Sequence, residues 1–328
     1  MHPELFRIPF TDLTVKSYGL LMVCGFISAI YVIRRLSRDF GEHSEDITTA
    51  ALYSLIAGIA GARIFYVIHY WHQFSNKGLL EIFAVWKGGL ELLGGVLLAI
   101  FVIVIYLWAK KLPVRRYLDI LGVGLMLALC FGRLGCLMNG CCFGKPTTCP
   151  VSIQFTYGSL AYESQIRPDT ARHREKPYIE LPADFFDTYP DSDYSYLKPY
   201  SSLDAQQKLE VTQGPYRCLP VIPTQIYESL SALVGFFLLY RHRSKGLRLE
   251  MRYGYPPFFY RPGITFSLMF VYYGIVRFFV EFLRDDNPIQ FDGLTVSQNL
   301  SIILIVVNLG LILLFAKMKP DNFTFKKS

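Results

Sequence analysis

Seven stretches of this chain, at about 17–34, 47–70, 89–108, 117–135, 223–240, 263–283 and 296–316, are each long and apolar enough to cross a bilayer. A hydrocarbon core of roughly 30 Å takes about 20 helical residues to span. Inside lipid the backbone has no water to bond, so a single apolar segment of this length must satisfy itself as a helix. The expected fold is therefore all-α and integral to the membrane, a seven-transmembrane-helix bundle. Composition agrees, because 52% of the 328 residues are hydrophobic and 16% aromatic, more than a soluble domain of this size carries. Residues 1–16 lack a basic segment followed by an apolar one, so no signal peptide is expected and the first helix should direct insertion itself.

The net charge of +7 does not form a basic patch of the kind that binds nucleic acid. It is dispersed in short clusters between apolar runs. Arg34, Arg35 and Arg38 follow helix one, Lys110, Lys111, Arg115 and Arg116 follow helix three, and Arg241, Arg243, Lys245, Arg248, Arg252 and Arg261 follow helix five. Lys317, Lys319, Lys326 and Lys327 follow helix seven, whereas the alternate short loops hold little beyond Lys77, Lys87 and Arg284. By the positive-inside rule the N-terminus is extracytoplasmic and the C-terminus cytoplasmic.

Residues 146–222 break the membrane pattern with Tyr, Asp, Pro, Ser, Lys and Arg. Structureless loops of that length are uncommon, so a small extracytoplasmic insertion domain is expected between helices four and five. The chain then divides into 1–145 (helices one to four), 146–222 (insertion) and 223–328 (helices five to seven and a cytoplasmic tail). Cys136, Cys141, Cys142, Cys149 and Cys218 all fall at or beyond the outer end of helix four, where disulfides are permitted, and a Cys149–Cys218 clamp at the base of the insertion is one option. Zinc is the rival reading, but Cys141 and Cys142 are adjacent and no Cys-x-x-Cys pair or ligand-spaced histidine accompanies them.

Arginine near mid-bilayer costs about 2.5–3.5 kcal/mol on insertion scales, so each one needs a reason. Arg63 lies in the small-residue stretch 58–63, which permits tight helix packing, and there a structural ion pair and a functional role weigh equally. Arg133 lies near the outer end of helix four, Arg277 and Glu281 share a face of helix six at spacing four, and Glu228 opens helix five behind Gln225 and Tyr227. Several guanidiniums in a partly dry, outward-facing cavity make an anion site, and the anion at hand there is a lipid phosphate. The pairs Gly88-Gly89 and Gly94-Gly95 are a weaker signal for backbone approach to a bulky ligand.

A series of motifs in order carries a resemblance. They are Met1-His2-Pro3 with Ser17-Tyr18-Gly19-Leu20, then Gly61-Ala62-Arg63-Ile64, Trp86-Lys87-Gly88-Gly89-Leu90 and the stretch from Gly132 through Asn139-Gly140 to Gly144. Pro223 to Glu228, Tyr273 to Phe282 and Gly293 to Gln298 complete the order. Outside residues 146–218 the chain resembles bacterial prolipoprotein diacylglyceryl transferases. The resemblance implies a multi-pass enzyme of the bacterial cell (inner) membrane. Such an enzyme moves the diacylglyceryl group of phosphatidylglycerol, a membrane lipid, onto the lipobox cysteine of a preprolipoprotein, releasing glycerol phosphate. It implies no metal or organic cofactor. It assigns Arg133 and Arg277 to the phosphate, Glu281 to orienting Arg277, and Tyr18, Asn139, Gly144, Gln225, Tyr227 and Glu228 to the cavity.

The chain departs from that pattern in three places. Leu93 precedes Gly94-Gly95 where the family commonly has histidine, Cys136 replaces an asparagine, and Cys141 replaces a glutamate. The general base is therefore open among Glu281, Tyr18, Tyr227 and a cysteine thiolate. A divergent or inactive paralogue acting as a lipid-binding assembly factor is the alternative. A transporter would spread polar groups through the membrane depth, whereas here they gather at one side.

Overall fold

The computed structural model describes residues 4–7, 14–39, 44–74, 78–85, 89, 91–188, 195–291 and 293–318. Eleven helices are described: α1 (Ser17–Asp39), α2 (Ser44–His69), α3 (Trp71–Phe74), α4 (Leu79–Phe83), α5 (Leu92–Ala109), α6 (Val114–Asn139), α7 (Leu160–Gln165), α8 (Ala205–Thr212), α9 (Thr224–Tyr253), α10 (Ile264–Glu281) and α11 (Val296–Lys317). Three antiparallel two-stranded ribbons accompany them: β1 (Glu4–Arg7) with β2 (Thr14–Lys16), β3 (Phe186–Thr188) with β4 (Ser195–Leu197), and β5 (Ile289–Phe291) with β6 (Leu294–Thr295). Each of the seven apolar runs lies on a long helix. Five of these, α1, α2, α6, α10 and α11, are long and apolar enough to cross a membrane, and Gly94–Ala109 is a shorter apolar segment. The run at 223–240 is the first part of α9, whose remainder carries the basic residues 241–252. Ile56, Phe101, Trp108, Val306 and Leu313 stand exposed along these helices, as lipid-facing side chains do. The chain is a multi-pass membrane protein. Met1-His2-Pro3, Trp86-Lys87-Gly88 and Leu90 lie outside the described residues.

The chain divides into two compact units. One comprises residues 28–125, 239–267 and 312–328. Its α2 and α5 cross at backbone contact. A β-carbon on Gly61 would strike the Gly94 carbonyl and lie 2.7 Å from Leu98 Cβ, and one on Gly95 would lie 2.8 Å from the Gly58 oxygen. Gly94 and Gly95 therefore serve helix packing rather than a ligand, which corrects the expectation from their sequence. Gly61→Val should lower the unfolding midpoint in detergent by the equivalent of about 1–3 kcal/mol, because the crossing has no room to give; an unchanged midpoint would refute this packing. Arg63 has a structural use here. Buried, it donates to the carbonyls of Ile82 (2.7 Å), Glu81 (2.6 Å) and Gly89 (3.0 Å), holding the segment before α5. The buried Asp119 of α6 accepts the Gly263 and Phe266 amides at 2.9 and 2.8 Å and so satisfies donors at the N-terminus of α10, with Arg243 3.8 Å away.

The other unit comprises residues 1–27, 126–238 and 268–311. Residues 146–222 lie within it, and among the described ones two apolar clusters are buried. Phe143, Phe155, Tyr162, Ile166, Ile179 and Val221 form one apolar cluster, and Phe185, Leu203 and Val211 a second. The two ends of this insertion are tied by backbone, not by a disulfide. Ile153 and Val221 exchange both amide bonds at 3.0 and 2.9 Å, Ile222 donates to Lys145 O, and Gly144 donates to Ile222 O. Cys149 is exposed and Cys218 is buried with its thiol on Gln165 Oε1, and all seven cysteines are free, so the proposed clamp is not formed. Burial pushes the Cys218 thiol up to about 11. The insertion is fastened to the chain just after α10 through Asp285, which pairs with Arg174 at 3.2 Å and Arg172 at 3.5 Å.

Candidate functional site

The second unit gathers three arginines around one carboxylate. Glu228, on the first turns of α9, lies 3.1 Å from Arg133 of α6, 3.4 Å from Arg277 of α10 and 3.5 Å from Arg284, which follows α10. Its first-turn position explains this reach, because helix α9 opens with Thr224 and presents Glu228 one turn later on the face shared with Gln225. Arg277 and Glu281, four residues apart on α10, pair at 2.8 Å. Glu281 also accepts, both on Oε1, from Thr295 Oγ1 (2.7 Å) and Asn287 Nδ2 (2.6 Å). Arg277 also donates to Ser297 at 2.9 Å, and Arg284 is forked onto Asp286. The predicted pairing of Arg277 with Glu281 is thus present, and the two predicted arginines meet on one shared carboxylate rather than on private ones.

Beside this cluster is a small cavity of about 20 Å³, lined by Arg133, Glu228 and Arg277 together with apolar side chains that include Met126, Leu129, Ala232 and Val276. Arg133 is the most accessible of the three guanidiniums, with 17% of its side chain exposed against 10% for Arg277 and 5% for Arg284. Glu228 is also its one carboxylate partner among the described residues.

The remaining predicted residues sit around this point in different ways. The Tyr18 ring lies over Gly135, where a β-carbon would come within 2.9 Å of it. Gln225 is fully buried, with its amide on the Cys141 carbonyl at 2.8 Å. Asn139 is the exposed last residue of α6, and Tyr227 is half-buried on α9 outside the lining of this cavity. Gly144 is a backbone crossing point, since a β-carbon there would sit 2.6 Å from Ile222 O and 2.8 Å from Leu283 O. Leu93 falls in α5, which belongs to the other unit.

Two contributors escaped the sequence reading. Arg284 was counted only as a loop charge, although its spacing of three from Glu281 could have placed it on the same face. Tyr272 of α10 lines the cavity beside the motif residue Tyr273, and nothing in an aromatic-rich helix marked it. The thiols of Cys136, Cys141 and Cys142 also converge, each sulfur within 4.8 Å of the others. Hydrogen bonds within the trio hold Cys142 below the usual thiol range, with Arg284 and Arg133 adding their charge, while Cys136 and Cys141 are pushed above it.

A family model described as prolipoprotein diacylglyceryl transferase matches residues 3–314. The chain is 28% identical over 303 residues to a phosphatidylglycerol–prolipoprotein diacylglyceryl transferase of Streptococcus uberis, covering 92% of this chain and 91% of that one. It is 27% identical over 324 residues to one of the same name from Lactobacillus delbrueckii subsp. bulgaricus, covering 98% and 93%. One from Clostridium tetani is 25% identical over 313 residues, covering 94% and 96%.

Proposed function

The chain belongs to the prolipoprotein diacylglyceryl transferase family, and we propose that its Arg133–Glu228–Arg277 cluster is where phosphatidylglycerol gives up its diacylglyceryl group. The reaction is the first step of lipoprotein maturation and makes the chain a transferase. The acceptor is the lipobox cysteine of a preprolipoprotein. One observation carries the assignment: two guanidiniums from separate helices share a single carboxylate at the wall of that cavity. Guanidiniums so placed suit an anionic headgroup.

The lipid phosphate takes Arg133 from Glu228 and draws on Arg277, which Glu281 holds in place. The acceptor sulfur attacks the glyceryl carbon attached to the phosphate ester oxygen. The carbon–oxygen bond breaks, and its electron pair leaves on glycerol phosphate. Negative charge grows on that oxygen, and preorganised guanidiniums in a desolvated cleft stabilise it better than water does. Glu281 is already bound by two arginines, Thr295 and Asn287, which leaves it a positioning group rather than a base. Tyr18, Asn139 and Tyr227 line the wider substrate cavity around this cluster, Gln225 braces the turn at Cys141 from within, and Gly144 allows the close backbone crossing beside it. Seven helices cross the membrane, α5 and α9 joining the five with full-length apolar spans. The N-terminus, the site and residues 146–222 lie on the extracytoplasmic side of the bacterial cell membrane, as the basic loop pattern requires.

Purified protein incubated with phosphatidylglycerol and a synthetic lipobox peptide should raise the peptide mass by one diacylglyceryl unit, and a peptide with serine in place of the cysteine should gain nothing. Peptide recovered without that gain from folded protein would overturn the assignment.

A further inference from the structure

The three converging thiols at the end of α6 have no part in the phosphate chemistry, and their placement is built by the backbone. Helix α6 stops in a left-handed cap, with Gly140 at φ 72°. Gly140 N–H returns to Leu137 O at 3.3 Å, and Cys141 N–H reaches Cys136 O at 3.1 Å. This pair of bonds folds the residue after the glycine back over the last full turn, which puts Cys141 against Cys136. Cys142 then takes φ 59°, a conformation that residues with a β-carbon seldom adopt. The first residues of α9 hold it there. Thr224 Oγ1 donates to the Cys142 carbonyl at 2.7 Å, and Gln225 Nε2 donates to that of Cys141 at 2.8 Å.

We infer that Cys136, Cys141 and Cys142 form a three-thiolate site for zinc, with its fourth coordination position open. Zinc–sulfur bonds of about 2.3 Å set ligand sulfurs about 3.8 Å apart in a tetrahedron. The three sulfurs already lie within 4.8 Å of one another, so closing on an ion moves each by about 1 Å or less. Thiolates are soft ligands and select zinc over magnesium or calcium. No fourth His, Cys, Asp or Glu joins the group among the described residues. Structural zinc sites are closed by four protein ligands, whereas sites that act on a substrate keep three and leave one position free.

The use of the open position rests on the transferase reading. A lipobox thiol arriving beside Arg133 binds there as thiolate: a zinc–sulfur bond forms, the bound water leaves, and the thiol proton passes to solvent. The sulfur then attacks the glyceryl carbon as already described, with no change of oxidation state. This supplies the activated nucleophile that none of the carboxylates is free to generate.

Full-length protein in detergent, reduced, exposed to zinc chloride and desalted, should retain one zinc per chain. Cys136→Ser, Cys141→Ser and Cys142→Ser should each lose it, and Cys149→Ser should keep it. Should the serine variants fail to fold, cobalt substitution of the unaltered protein still decides, because thiolate ligation produces a near-ultraviolet charge-transfer band and intense visible bands. Reduced protein that retains no zinc and shows no cobalt–thiolate band overturns the site. Adding a lipobox peptide to the cobalt form should shift the visible bands, and its serine analogue should not. An unmoved spectrum removes the thiol-activation role alone, whereas failure of the transferase reading would appear separately, as wild-type protein that transfers no lipid.

Discussion

Arg133→Ala should lower transfer turnover by about 100–1,000-fold, the usual cost of removing one group that stabilises developing negative charge, while the protein stays folded. The separation of the two effects follows from the geometry. Arg133 is the most exposed of the three arginines, and its carboxylate partner Glu228 keeps Arg277 and Arg284 when Arg133 is gone. No buried charge is orphaned, so the unfolding midpoint in detergent should change little. Arg133→Lys keeps the charge but loses the planar fork that grips two phosphate oxygens, and should fall between wild type and alanine. Initial rates by peptide mass spectrometry, paired with thermal unfolding, test both halves. A stable Arg133→Ala protein that lipidates peptide at the wild-type rate would remove the phosphate role from this residue.

Glu281→Ala should do the opposite, costing about 3–5 kcal/mol of stability, the penalty for breaking a buried charged network from one side. Its carboxylate serves Arg277, Arg284, Thr295 and Asn287, and its side chain is wholly buried. Removing it leaves the Arg277 guanidinium short of a partner in a desolvated site. Adding Arg277→Ala to the Glu281→Ala protein should recover part of that stability without recovering activity. This non-additivity measures the coupling between the Glu281 carboxylate and the Arg277 guanidinium. A single variant as stable as wild type would show that the network carries no such weight.

Some of this site could be read along the chain because the signals were local. A spacing of four on an apolar helix was enough to pair Arg277 with Glu281. The cost of a charge in lipid was enough to single out Arg133. Glu228 was recognisable as a polar intruder at the start of a membrane helix, but its part as the hub was not, because that depends on where α6 and α10 place their arginines. Arg284 was misread for the same reason: a charge just past a helix end looks like a loop residue until the chain is seen to turn back. The glycines of α5 show the reverse error, since a small-residue pair has the same sequence signature whether a ligand or another helix approaches it.

The amino-acid sequence alone determined that the chain is a multi-pass membrane protein built on long apolar helices, because bilayer thickness and the cost of unbonded backbone match such runs. It also determined which charges had to be paired within the protein. Only the tertiary structure decided which partners they took and that Cys136, Cys141 and Cys142 stand together. Helical spacing puts residues 136 and 141 on different faces, and it is the left-handed cap at Gly140, pinned by α9, that brings their sulfurs to one point.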